Sequence, residues 1–497
     1  MRYAAQVNPG TPMPDIQALA ALSDPATPAL AAPGLASPGP ALPAPTAPAR
    51  AAMTTGPVGP LLVSLTLPMV GAVLSTIGYS VAETWFIARL GPQALSAVSF
   101  TFPVTMVVIS LAIGLGAGTS AVVARALGAG EASTSALVID ALLLTAALGL
   151  AAAVLGELLV GPLFRVLGAP EPLLPMIAGY LRLWFPAAIL FMTAMVGLSA
   201  ARAAGDARFQ GIAMAGAALL NLALAAPAIF GVASVPGLGL RGAAVANALA
   251  WAAMLAATLW RLRSLGLLAD GRPTPARFAA SAQRVLHVGL PAAGTNTIIP
   301  VSAAVVTGIL ATYGANAVAG FGVAGRIESL SMVAFFALSA VMNPFAGQNA
   351  GAGRLDRVRT AVRASFGFCL GLGVLLAAAL WFAGPWIAGR FSADPEVASA
   401  TAAYLAIVPV SYGMAGIIAV VNSAFNGLNR PGAAVLISVA RTMLVNVPVA
   451  WLGGRLFGAP GVFLGVCVAN VLVGVGAAWW IWRATAPEVQ PAAALAR

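Results

Sequence analysis

The chain has 497 residues, 60% of them hydrophobic and only 8% charged, with a mean hydropathy of +0.95 and a formal net charge of +11. A soluble domain of this length carries roughly three times that charged fraction, so a water-soluble fold is excluded. The positive charge is all arginine, set between apolar runs, where it orients a membrane protein and points to no nucleic-acid partner. Residues 1–60, with the stretch "PATPALAAPGLASPGPALPAPTAPAR", read as a disordered Pro/Ala-rich cytoplasmic tail. Asp15, Asp24 and the many prolines argue against a signal peptide. Apolar runs then recur from Leu61 to Trp482, long enough to cross a bilayer as helices. Charged or Gly/Pro-rich breaks place twelve spans at 61–88, 94–124, 136–161, 173–201, 208–231, 237–261, 284–311, 317–349, 360–385, 397–426, 431–452 and 457–482. The expected fold is an all-α polytopic membrane protein with a cytoplasmic tail at 483–497. With both termini cytoplasmic, 17 Arg fall inside and 6 outside, and Arg326 and Arg441 lie within spans. Cys369 and Cys467 sit in apolar runs with no disulfide or metal spacing.

The chain repeats itself at an offset of 223 residues. "RLGPQALSAVSF" after the first span answers to "TYGANAVAGFGV" after the seventh. Gly128-Ala129-Gly130 answers to Gly351-Ala352-Gly353, Pro68 to Pro291 and Asn247 to Asn470. A Tyr-Leu pair recurs near 180 and 404. Each half holds an even number of spans, so the copies are parallel repeats about an axis along the membrane normal, as in secondary transporters. Two pseudo-symmetric six-helix bundles, 61–261 and 284–482, would face each other across a central cleft, bridged by the cytoplasmic loop 262–283.

An ionisable side chain deep in a span costs several kcal/mol to bury and marks function by default. Glu83 is the only charge in the first span, and Thr76, Tyr79, Ser80 and Glu83 form one polar stripe at helical spacing. Its repeat counterpart is Val306, so the acid belongs to one lobe. Arg326 and Glu328 lie mid-way along the eighth span, and Arg441 at similar depth in the eleventh. A Glu328–Arg441 or Glu328–Arg326 pair would lower the burial cost of each, either as a lobe-organising bridge or in a substrate or proton role. Asn221 and Asn247 add polar groups to the first lobe, and Asn422 and Asn426 to the second. Asp140, Glu157 and Arg182 are near enough to span ends to reach headgroups, and the lone His287 reads as structural. No nucleotide-binding, zinc or redox motif is present, so neither an enzyme nor an ATP-driven pump is expected, and an ion gradient is the expected energy source.

Together "AETWFIARLGPQALSAVSF", "GLGAGTSAVVARALGAGE", "SAARAAGDARFQG", "LRGAAVANAL", "FGVAGRIESL" and "GQNAGAGRLDR" resemble the multidrug and toxic compound extrusion (MATE) family, most of all its DinF-like prokaryotic branch, over 61–482. The resemblance implies twelve helices in two lobes and export of small organic cations across the bacterial inner membrane, driven by inward H⁺ or Na⁺ and without a cofactor. It assigns the coupling acid to Glu83, with Asn221 and Asn247 beside it and a helix kink to Pro68, and the polar stripe adds Thr76 and Tyr79 to the expected ion-coupling group. The family's fifth-helix Asp is missing; only Ala225 or Ala226 stands there. One carboxylate makes a poor sodium cage, whereas desolvation disfavours its charged form. H⁺ is therefore favoured over Na⁺, with Glu83 and Asn221 as the fallback sodium ligands. Met106, Trp184, Phe185, Met192 and Met195 are candidate linings for a promiscuous cleft, in a monomer bathed in lipid. A lipid-linked precursor flippase with an Arg-lined cleft is the alternative, and a channel or membrane enzyme a further one.

Overall fold

A computed structural model describes residues 52–232, 235–269 and 274–486. The first bundle comprises α1 (Val58–Ala88), α2 (Pro92–Gly128), α3 (Thr134–Val166), α4 (Leu174–Ala203), α5 (Ala207–Phe230) and α6 (Leu240–Ser264). A two-residue ribbon, Gly231–Val232 against Val235–Pro236, joins α5 to α6. The second comprises α7 (Pro275–Ala311), α8 (Ala315–Ser331), α9 (Val333–Gly351), α10 (Leu355–Phe391), α11 (Pro395–Ile407), α12 (Tyr412–Gly427), α13 (Pro431–Val439) and α14 (Val447–Ala484).

These helices make twelve spans because three expected spans are interrupted. The eighth bends by 48° at Met332, between α8 and α9. The tenth passes through a 3₁₀ turn at Val408–Ser411, where Pro409 has no N–H to continue the α-helical ladder. The eleventh carries a π-helical turn at Ala440–Asn446. The eleventh and twelfth meet inside α14 at Gly458, whose φ of 69° and ψ of −152° are not helical. On either side of it Gly453 abuts Gly461, and Gly465 abuts Ala450. The chain therefore turns back on itself there as an antiparallel hairpin. By contrast, α1 runs through Pro68 as one continuous helix, so the kink expected there is not a break. Arg–Trp stacks mark span ends: Arg89 over Trp85 and Arg455 over Trp451 at one side, Arg359 over Trp482 and Arg483 over Trp479 at the other.

The tail expectation fails at its end. Residues 1–51 lie outside the described residues, as do 487–497 of the C-terminal tail, but Met53 is buried and α1 begins at Val58. Arg357 of α10 donates to the carbonyls of Met53, Thr55 and Gly56, and Gln348 of α9 accepts from the Met53 amide at 2.8 Å. Asp140 likewise does not reach headgroups. It is buried in α3, bound by both Nε and Nη2 of Arg277 at 3.2 and 3.1 Å and by the Ser281 hydroxyl at 2.7 Å. Removing one partner of a buried pair strands the other charge, at a cost of about 3–5 kcal/mol. Asp140→Asn is expected to lower the thermal unfolding midpoint in detergent, and an unchanged midpoint would count against this tether. Glu157 and Arg182 pair with each other at 2.8 Å on an exposed surface.

The bundles meet where α2, α7 and α9 pack together. A Cβ on Gly128 would lie 2.0 Å from the Gln348 carbonyl oxygen, and one on Gly351 would lie 2.2 Å from that of Arg125. Positions 128 and 351, like 125 and 348, are related by the 223-residue repeat. The two helix ends therefore cross about a pseudo-twofold axis, and each contact is the image of the other. Arg125 also donates to the carbonyl of Gly427 at 3.0 Å, and Asn343 to that of Ala117 at 3.1 Å, both across the bundle boundary. The "RAAGDAR" motif closes the same end of the first bundle. Gly205 takes a φ of 96°, and Asp206 accepts from the Phe209 amide at the start of α5 and from Arg261 of α6 at 2.6 Å.

Candidate functional site

In the first bundle the site follows from how α5 meets α1. Gly211 lies so close to Pro68 that a Cβ there would be 2.6 Å from the proline carbonyl oxygen. From that contact the two helices run on side by side. Ten residues of helix rise about 15 Å, which brings Asn221 level with Tyr79, and Glu83 lies one turn further along α1. Opposite them, α6 supplies Asn247.

Asn247 is the hub. Its Nδ2 donates to Glu83 Oε1 at 2.8 Å, and its Oδ1 accepts from Asn221 Nδ2 at 3.0 Å and from the Tyr79 hydroxyl. Tyr180, buried in α4, lies within electrostatic reach of Glu83. Three of the four residues expected around the coupling acid thus come together. Thr76 does not: its hydroxyl turns back to the Ala72 carbonyl at 3.0 Å. The Asn221 carbonyl oxygen is buried and has no hydrogen-bond donor. Ala225, where a second acid was looked for, is buried. Glu83 is therefore the lone carboxylate of this hydrogen-bonded group, and among the described residues no three His, Cys, Asp or Glu side chains gather as a metal site.

The second bundle holds a related cluster. Asn470, the repeat counterpart of Asn247, accepts from Arg441 Nε at 2.9 Å and donates to Ser411 Oγ at 2.9 Å. The Tyr404 hydroxyl donates to Glu328 Oε2. Arg441 is near enough to act electrostatically on Glu328. However, among the described residues neither forms an ion pair within 4.0 Å, so the direct Glu328–Arg441 bridge is replaced by two hydrogen bonds to neutral groups. The Glu328–Arg326 alternative fails too. Two residues apart on a helix, the side chains diverge, and Arg326 is exposed while Glu328 is half-buried.

Other expected residues sit elsewhere. Asn422 donates to Ser438 Oγ at 3.0 Å, and the Asn426 carbonyl lies beside Arg125 at the closed end, so neither joins the Glu328 cluster. Trp184 and Met192 are buried inside the first bundle, as is Phe185, and Trp184 packs edge-on against Phe185 and Trp251. They are packing residues in this conformation; Met106 and Met195 remain half-buried. Sequence reasoning missed Tyr404 and Ser411. The recurring Tyr-Leu pair was the available signal for Tyr404, since its image, Tyr180, flanks Glu83.

The MatE family model matches the chain twice, over residues 68–226 and 291–452, whose starts lie 223 residues apart. The chain belongs to the MATE family. It is 35% identical over 440 residues to a FAD transporter of Shewanella oneidensis, covering 88% of this chain and 97% of that one. It is 24% identical over 426 residues to the multidrug export protein MepA of Staphylococcus aureus, covering 85% and 93%. Among solved structures, the Vibrio cholerae MATE transporter VcmN in its bent form superposes with a TM-score of 0.81 at 29% identity, over 86% of this chain and 97% of that one. The protein is thus a multi-pass membrane transporter of the multidrug efflux family, with twelve helices in two bundles, and not an enzyme.

Proposed function

We propose that this MATE protein is a proton-coupled exporter that works by alternating access across the bacterial inner membrane, as a monomer with both termini cytoplasmic. Residues 61–261 and 284–482 are its moving lobes and 262–283 the bridge. The observation that carries this reading is the position of Glu83, a lone acid held by Asn247 in a network drawn from α1, α5 and α6. An ionised Glu83 holds the site in one arrangement; a proton arriving from outside removes the charge and lets α1 repack, and its release inside resets the cycle. A second reading, sodium coupling, is favoured by the unpartnered carbonyl of Asn221, which could join Glu83 as an oxygen ligand.

The resemblance pointed to organic cations as cargo, and the likeness to the multidrug export protein MepA supports a drug-type cargo. The relative at 35% identity, matched over nearly its whole length, supports a flavin dinucleotide more strongly. Inverted vesicles with an imposed pH gradient test both points. In sodium-free buffer FAD is expected to accumulate, and a protonophore should collapse the accumulation. Uptake that requires Na⁺ and survives the protonophore would replace the proton with sodium. Accumulation of ethidium without FAD would return the cargo to the drug class.

A further inference from the structure

Arg441 has no use in the coupling scheme above. It sits mid-span on the π-helical turn Ala440–Asn446, a backbone irregularity of the kind that often accompanies functional sites. A charged residue at this depth costs several kcal/mol, which a direct ion pair would offset, yet among the described residues none is made. One N–H of the guanidinium goes to Asn470, which is itself fixed by Ser411. The nearby acid, Glu328, is engaged by Tyr404. Arg441 is only half-buried, and none of its nitrogens is sealed from solvent without a partner. Among the described residues its two terminal nitrogens make no hydrogen bond, and the Asn470 anchor fixes their orientation. That is the planar double fork that grips phosphate oxygens in pairs.

The repeat sharpens the point. The same asparagine hub holds an acid in the first lobe, through Asn247, and a base in the second, through Asn470. The corresponding position to Arg441 in the first half is Ala218, so the scaffold does not need the charge. We infer that the Arg441–Asn470–Ser411 cluster is the receptor for the diphosphate group of the exported molecule, a nucleotide-type anion such as a flavin dinucleotide. Cargo and coupling ion then bind in different lobes and communicate through the protein. Glu328 lies near the receptor but is engaged by Tyr404 and makes no ion pair with Arg441 among the described residues. This rests on the export reading only for the identity of the cargo, and equilibrium binding needs no coupling.

The test is flavin binding to the purified full chain in detergent, followed by fluorescence anisotropy. Wild type is expected to bind FAD at least roughly tenfold more tightly than riboflavin, which lacks the phosphates, and ADP is expected to displace FAD. Arg441→Gln should lose that preference and Arg441→Lys keep part of it. Glu83→Gln should keep the preference for FAD over riboflavin even where its overall affinity shifts and its driven transport is lost, which separates this inference from the coupling assignment. Equal affinity of wild type for FAD and riboflavin would overturn the proposal, as would Arg441→Gln binding FAD undiminished. Stronger displacement by farnesyl diphosphate than by ADP would overturn the nucleotide assignment in favour of a lipid-linked diphosphate.

Discussion

Glu83→Gln is expected to abolish concentrative transport while leaving the protein folded and able to bind cargo. Glutamine keeps the carbonyl oxygen that accepts from Asn247 Nδ2, so the hub linking α1, α5 and α6 retains its hydrogen bonds. It removes the exchangeable proton and, with it, the charge that the ionised acid carries. Accumulation in vesicles should fall to passive equilibration, roughly a tenfold loss for each pH unit of imposed gradient at one proton per cargo. Glu83→Asp should keep measurable transport, because the acid survives and only its reach shortens. Asn247→Ala should lose both transport and thermal stability, since it orphans Glu83, Tyr79 and Asn221 together. Undiminished accumulation by Glu83→Gln, at equal expression, would remove Glu83 from the coupling step.

Gly128→Val and Gly351→Val are expected to prevent the two lobes from closing at the crossing of α2 and α9. The obstacle at each site is a backbone oxygen, 2.0 Å from a Cβ at 128 and 2.2 Å at 351, so no rotamer change relieves it. Overpacking of this kind costs roughly 2–3 kcal/mol, a factor of roughly 30 to 150 in the ratio of closed to open states. Because the two contacts are images of each other, either substitution should have the same effect. A cysteine introduced as Ala121→Cys, buried near the crossing, reports it: it should be slow to react with a membrane-impermeant thiol reagent in the parent and fast in either valine variant. Equal labelling would mean that the crossing is not the gate.

Much of the first-lobe site was legible in the sequence. Tyr79 and Glu83 are one turn apart on one helix, and the repeat singled out Glu83 by giving Val306 no charge. Asn221 and Asn247 were visible as amides in otherwise apolar runs. The second-lobe cluster was legible only as a set of residues. Which neutral groups would engage Glu328 and Arg441 depends on helix rotation, and that is altered by the bend at Met332, the 3₁₀ turn before Tyr412 and the π turn at 440–446. None of these leaves a periodic mark in a uniformly apolar sequence. Asp140 was misjudged for a related reason. Its partners, Arg277 and Ser281, lie inside the stretch 262–283 that was expected to be inter-lobe loop, and hydropathy cannot reveal that α7 starts at Pro275, so far outside its apolar core.

That early start of α7 decides where the molecule can flex. Its first turns are fastened to the first lobe by Asp140 and by Glu131, which pairs with Arg284, and Gly289 and Ala293 lie against α2. Further along, Ser302 is held by Asn446 of the second lobe. The start of α7 is therefore fixed to the first lobe, and on the alternating-access proposal the rotation of the lobes would be taken up within α7, between Ala293 and Ser302. Pro300 lies in that short interval, and its image in the first half is Ile77. A missing backbone hydrogen bond softens the rod at that point, so on that proposal the helix that joins the lobes would also be the joint on which they turn.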